Sequence, residues 1–460
     1  MAFMSPVDSM FLLMESREHP MHVGGLSLFT PPEGSDGAGL ARSMYEDLSD
    51  TDNMRQLFLR KPQHLLTSFA PLRWTHDATV DADYHLRLSA LPSPGRVREL
   101  LELVSRLHGT LLDRHRPLWE LHVIEGLNDG RVAVYFKTHH ALIDGVAATR
   151  AWYRALSEDA TTPFVSPWVE PEDRKQAERA DKPSSGGSSP LSAALGGVAR
   201  AALDVAGIAP ATIGSALQAF NDNTAALPFQ APRTIFNVPI TGARRFAAQA
   251  WPMERLRAVS DAAGVTVNDT VLAMSAGALR RYLLELGALP DEPLVAMVPV
   301  SLRKEGDGEG NAVGAVLCNL GTELTDAGQR LHRVHQSMRY SKNVLAGLSP
   351  LQSLAVSALN IGGLALGPLG GADRLTGPPF NIIISNVPGP DTERFWNGAR
   401  LENFFPASIP VDGQALNITV ASYADTMQFG LTGCRRNVPR LQRLLVHLED
   451  SLAELEKATA

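Results

Sequence analysis

Two adjacent histidines, followed at fixed spacing by an aspartate and a glycine, are the residues of this chain best suited to chemistry: His139-His140-Ala141-Leu142-Ile143-Asp144-Gly145. Histidine changes charge near neutral pH, so an uncharged imidazole can take a proton from a hydroxyl as a general base. In the run Val132 to His140, alternation puts Val132, Val134, Phe136, Thr138 and His140 on one face of a strand. Ala133, Tyr135, Lys137 and His139 take the other. If the extension persists to its end, His140 belongs to the apolar, inward face, where burial disfavours the charged ring. His139 shares its face with Lys137. Side chains on opposite faces do not chelate one ion, and His140 with Asp144 would offer only two ligands, fewer than a protein metal site normally has. The pattern therefore favours His140 as a base and no metal, with a satisfied structural histidine as the plain alternative.

The elements around the pair must aim it. Val97 to Asp113 has apolar residues at helical spacing (Val97, Leu100, Leu101, Val104, Leu107, Leu111). Trp119, Leu121 and Val123 then alternate as on a strand, Asn128-Asp129-Gly130 signals a turn, and Arg131 to Thr138 returns as the second strand of a hairpin. Gly145 gives the chain room to enter a helix over Val146–Leu156. Further on, Thr266-Val267-Asn268-Asp269 opens a helix to about Leu286, with Asn268 or its neighbour as cap. Leu294–Pro299 and Phe380–Ser385 suit buried strands. The result is a mixed α/β protein.

At 460 residues the chain exceeds one ordinary core, and two units are expected. Ser157 to Pro190 is rich in Pro, Ser, Gly and charge and reads as a flexible linker. The Ala-rich stretch Leu191 to Ala226 follows as connecting helices. The division is thus 1–160, a linker over 161–227, and 228–460. A net charge of -7 argues against a nucleic-acid binder. Two cysteines, Cys318 and Cys434, point to a reducing, cytoplasmic setting. Met1–Asp8 has no basic residue ahead of the apolar stretch Met10–Met14, unlike a secretory signal. Leu345–Gly371 is too interrupted to span a bilayer.

His139-His140-x-x-x-Asp144-Gly145 resembles the active-site motif of the CoA-dependent acyltransferase superfamily. Further segments, in order, resemble its bacterial wax ester synthase/diacylglycerol acyltransferase family. They are His19-Pro20-Met21-His22-Val23-Gly24-Gly25, Pro117-Leu118-Trp119, Asn268-Asp269, Val298-Pro299-Val300-Ser301-Leu302-Arg303 and Ser385-Asn386-Val387-Pro388-Gly389-Pro390. The resemblance covers nearly the whole chain apart from the linker.

It implies two α/β domains of chloramphenicol-acetyltransferase type with a substrate tunnel between them. The implied reaction moves a fatty acyl group from acyl-CoA, a substrate and not a cofactor, to a long-chain alcohol or diacylglycerol. His140 is then the base, and Asp144 an anchor paired with an arginine, for which Arg303 is the candidate. Asn268, Asp269, Ser385 and Asn386 shape the site or contact substrate; helix capping is the favoured plain reading of the first two, and a turn residue satisfying its own backbone explains the other two equally. Pro117-Leu118-Trp119 reads as a packed corner. Arg330, Arg333, Arg339 and Lys342 on a helix, and Arg435-Arg436, are candidates for the CoA phosphates; the same helix, next to apolar Leu345–Leu369, is alternatively suited to anionic lipid at a membrane or lipid-inclusion surface. Alternatives are a condensation-type acyltransferase using another nucleophile and a non-catalytic lipid-associated scaffold. No metal or redox cofactor is implied.

Overall fold

The computed structural model describes residues 2–49, 54–63, 72–78, 80–169, 226, 228–301, 313–347 and 377–460. Arg303, the Ala-rich stretch up to 225 and residues 348–371 of the apolar segment lie outside them.

The expected hairpin forms the centre of the first sheet. Trp119–Glu125 pairs antiparallel with Val132–His139, placing Trp119 opposite Thr138. On its other edge Val132–His139 pairs with His22–Thr30, with His22 opposite His139. Leu86–Ala90 runs parallel beside Trp119–Glu125. The strand beyond His22–Thr30 is Ala399–Ala407, from the far end of the chain, followed by Phe395–Trp396. Residues 395–407 therefore complete the first sheet, and the division at 1–160 and 228–460 does not separate the two sheets. This arrangement pairs both edges of His22–Thr30 and leaves it no open edge. Its Gly24-Gly25 pair has a packing cause: a Cβ at Gly24 would stand 2.5 Å from the Phe136 carbonyl oxygen, and one at Gly25 2.5 Å from the Phe404 ring.

The second sheet runs in the order Val313–Asn319, Val295–Ser301, Ile382–Val387, Leu416–Tyr423, Thr426–Cys434, Arg244–Pro252. Helices Met253–Ala263, Val267–Glu285, Ala327–Ala346 and Arg443–Thr459 share one apolar core with it. The halves meet where Arg244–Pro252 packs on the helix Val97–His108, which covers one face of the first sheet. There the Ser105 hydroxyl accepts from Phe246 N–H at 2.8 Å.

Two expectations need correction here. Residues 157–169 are a packed strap and not flexible linker, while the rest of the expected linker up to residue 225 lies outside the described residues. Phe164 stacks on Trp396 with ring centroids 3.8 Å apart, and buried Trp168 stacks on Trp119 at 5.0 Å. Average composition hid these two aromatics among Pro, Ser and charge. Second, the face of Val132–His139 that carries Lys137 and His139 is not an outer face. Both faces of this inner strand are covered, and Lys137 is fully buried, donating to the Leu107 and Thr110 carbonyls and lying 3.3 Å from Glu120.

Candidate active site

The histidine pair sits where the strand stops. Val132–His139 ends at His139, His140 is in the following turn, and the helix Gly145–Ala155 begins five residues later. His139 N–H donates to the Leu118 carbonyl at 2.9 Å and His140 N–H to the Met21 carbonyl at 2.8 Å. Two of the motifs noted in the sequence, Pro117-Leu118-Trp119 and His19–Gly25, thus brace the pair through their main chains. The His139 carbonyl in turn accepts from Leu142 and Ile143, closing a tight turn.

Extension does not persist to His140, so burial does not sort the two rings as alternation suggested. His139 is fully buried, whereas His140 keeps a partly exposed edge. Phe11, from the N-terminal helix Pro6–Met14, stacks on His140 with centroids 4.1 Å apart at 24°. Burial pushes the His140 imidazole below its usual range; Asp144, a bond to its own carbonyl and Asp8 pull the other way, while His139 adds to the lowering. A neutral imidazole keeps one ring nitrogen with the lone pair that a base needs.

The hydrogen bonding of His139 defines its tautomer. Its Nδ1 accepts from Ala141 N–H at 3.0 Å, so its proton is on Nε2, 3.1 Å from Glu15 Oε2. Glu15 is buried, with Oε1 accepting from Arg114 Nε at 2.9 Å and Oε2 from Met21 N–H at 3.2 Å. Burial alone would raise its carboxyl, but the His139 and Arg114 contacts outweigh that and hold it below the usual range.

Asp144 is the N-cap of Gly145–Ala155, accepting from Ala147 N–H at 2.8 Å. Among the described residues it makes no hydrogen bond to His140. A Cβ at Gly145 would meet only Val23, at an ordinary 3.9 Å, so relief of a clash does not explain this glycine. Behind the turn lies an apolar cavity of about 40 Å³, lined by Thr138, Ile143, Ala148, Trp152, Trp119 and Trp168 among others. Trp119 is packed as a corner residue, its indole N–H donating to the Phe58 carbonyl at 2.9 Å.

The second half supplies the other candidates. Thr266, not Asn268, caps Val267–Glu285, and Asp269 closes a capping box with it. Asp269 also lies 2.9 Å from His335 Nδ1. Asn386 Nδ2 donates to Asn268 Oδ1 at 3.2 Å, so these two candidates meet. Ser385 and Asn386 lie inside the strand Ile382–Val387, not after it. Beyond them Val387 joins the core that contains Ala141 and Leu142, and a Cβ at Gly389 would stand 3.3 Å from Tyr153. This edge of the second half therefore abuts the helix that follows the histidine turn. Arg330 is unsuited to CoA, being buried on the Leu324 and Thr325 carbonyls and Glu454. Arg333 pairs with Glu323, while Arg339 and Lys342 are exposed. Among the described residues no group of three or more His, Cys, Asp or Glu is placed to hold a metal, and no helix is long and apolar enough to cross a membrane.

Comparison with known proteins gives this geometry its context. The wax ester synthase/diacylglycerol acyltransferase catalytic domain matches residues 4–271, and the C-terminal domain of the same family matches residues 309–456. This chain belongs to that family. It is an acyltransferase. A putative diacylglycerol O-acyltransferase of Mycobacterium bovis is 53% identical over 461 residues, spanning 100% of this chain and 99% of its own. The wax ester synthase/diacylglycerol acyltransferase from Marinobacter aquaeolei VT8 is 39% identical, covers both chains completely and superposes with a TM-score of 0.77. The first condensation domain of the CDA synthetase, 16% identical, shares the fold with a TM-score of 0.57 over 99% of this chain and 95% of its own.

Within this acyltransferase, sequence reasoning missed Phe11, Glu15 and Arg114. The signal available was modest: Ser5-Pro6 with Asp8 is a helix start, and Ser5 does cap the helix, accepting from Asp8 N–H. Weighing that stretch only as a targeting signal left its contact with the histidines unread.

Proposed function

We propose that this acyltransferase carries a fatty acyl group from acyl-CoA to the hydroxyl of a long-chain alcohol or diacylglycerol, with His140 as general base. The acceptor's proton passes to the imidazole as its oxygen bonds to the thioester carbonyl carbon. The tetrahedral oxyanion collapses, the C–S bond breaks, and the CoA thiolate takes the proton from the imidazolium. An ester and free CoA result, and no covalent acyl-enzyme is required. The observation that carries this reading is the placement of His140: its N–H is fixed on the Met21 carbonyl in the turn after Val132–His139, and its ring is stacked on Phe11, where burial lowers its pKa and favours the neutral form. Proton transfer of this kind contributes about 10²–10⁴-fold; orientation and oxyanion stabilisation must supply the rest.

Both substrates would reach His140 through a passage between the halves, on the side where Val387 and Gly389 approach the helix Gly145–Ala155. Asp144 would serve as anchor through its cap, and the chemistry so written calls for no metal or redox group. The relatives' names support diacylglycerol as acceptor, and the Marinobacter enzyme's name supports wax esters as well. Incubating the purified protein with palmitoyl-CoA, hexadecanol and dipalmitoylglycerol, and identifying the esters, tests the proposal. Triacylglycerol or wax ester with stoichiometric CoA supports it; neither ester would refute it. Peripheral attachment to membranes or lipid inclusions through exposed cations such as Arg339 and Lys342 predicts vesicle binding that weakens with salt.

A further inference from the structure

We infer that Glu15 is a positioning residue for acyl transfer: it holds His139 as the Nε2–H tautomer, and so holds the turn that presents His140. The inference rests on the reading of His140 as base.

Two separate routes lead from the Glu15 carboxylate to His140. In the first, Oε2 faces His139 Nε2 at 3.1 Å, and the opposite ring nitrogen accepts from Ala141 N–H at 3.0 Å. Ala141 is the residue directly after His140. In the second, Oε2 accepts from Met21 N–H at 3.2 Å, and the Met21 carbonyl accepts from His140 N–H at 2.8 Å. Glu15 thus fixes the main chain on both sides of the reacting ring without touching that ring. Arg114 fixes Glu15 in turn, bonding Oε1 through Nε at 2.9 Å and the Leu12 carbonyl at 2.7 Å.

The tautomer is the sensitive point. A proton moved to Nδ1 of His139 would face the Ala141 N–H, and that buried donor would lose its acceptor. An unsatisfied buried donor is costly, so that tautomer disfavours the turn as it stands. The Glu15 carboxylate disfavours this alternative by placing negative charge 3.1 Å from Nε2, beside the proton it carries, where both side chains are buried. Glu15 cannot serve as a relay for His140, because the His139 ring and the Met21 peptide stand between them.

The test compares Glu15→Leu, which lacks any acceptor, with Glu15→Gln, which keeps an amide oxygen for His139. Assays use the full chain with palmitoyl-CoA and hexadecanol. Misplacing a reacting group by 1 Å costs ~10²-fold, so Glu15→Leu should lower kcat by that order, with KM for acyl-CoA within about threefold of wild type. Glu15→Gln should recover most of the loss. Nitrogen NMR of histidine-labelled protein, with His139 assigned by its loss in His139→Gln, should show the Nε2–H form in wild type and a change in Glu15→Leu. Unchanged kcat in Glu15→Leu overturns the inference. So does the Nδ1–H form of His139 in the wild-type protein, a measurement that stands even if the Glu15 variants do not fold. Retained turnover in His140→Ala would instead remove the underlying reading, leaving the tautomer result intact.

Discussion

Phe11 lies nearly flat on His140, ring centroids 4.1 Å apart, and so forms one wall of the environment that holds the imidazole below its usual pKa. The charged or titratable groups facing that ring are Asp144, His139 and Asp8. Phe11→Ala admits water to this face. The His140 pKa should rise towards that of a free imidazole, so the acid limb of the kcat/KM profile moves to higher pH and activity near pH 6 falls most. An acid limb unmoved in Phe11→Ala would show that the stack does not set the basicity.

Asp144 separates two roles through a pair of substitutions. As an N-cap it is replaceable by asparagine, whereas Asp144→Ala should cost ~1 kcal/mol of stability. Loss of the charge in Asp144→Asn should lower the His140 pKa further and shift the acid limb to lower pH. Denaturant unfolding that finds Asp144→Ala as stable as wild type would remove the capping role.

The strap at 157–169 predicts a stability effect far from the chemistry. Trp168 is buried against Trp119 and Phe58, so Trp168→Ala should destabilise by about 3–5 kcal/mol. A truly flexible linker would tolerate the change with no shift in Tm.

The buried histidines predict the response to acid. Burial lowers the pKa of His22, His85, His108 and His122, His108 to about 3. Above the unfolded pKa of about 6.5 both states leave them unprotonated and they impose no penalty. Below it the unfolded chain takes up protons that the folded chain refuses, so stability falls with pH, by roughly 1.4 kcal/mol per unit for each such group. For His108 the loss continues down to about pH 3. Its Nδ1 accepts from the Tyr135 hydroxyl and its Nε2 donates to the Ser408 carbonyl. Unfolding free energy measured from pH 7 to 5 should decline, and His108→Gln should decline less steeply despite a lower starting value. A slope equal to wild type would contradict this assignment.

How far the sequence foresaw the site depends on whether the interaction was local. The hairpin Trp119–His139 was legible because its turn residues and alternation are contiguous, and the helix Val267–Glu285 because its cap is adjacent to its apolar pattern. The cap itself was assigned two residues late, since Thr266, Asn268 and Asp269 are all good capping types and only the hydrogen bonds distinguish them. Strand alternation grouped His140 with Phe136 and His139 with Lys137, but could not show that both faces are covered. The Ala133–Tyr135 face is covered by the helix Val97–His108 and by Arg244–Pro252, the latter more than a hundred residues away. Larger separations hid Ala399–Ala407 in the first sheet and the Asn268–Asn386 bond. The Glu15–His139 contact spans most of the first half and leaves no periodic trace.

The most direct test of the account is turnover by His140→Ala with palmitoyl-CoA and an alcohol acceptor, alongside its fold and its acyl-CoA binding. The account predicts that both are retained while kcat falls by about 10²–10⁴-fold. A folded His140→Ala protein turning over within a few-fold of wild type would contradict it.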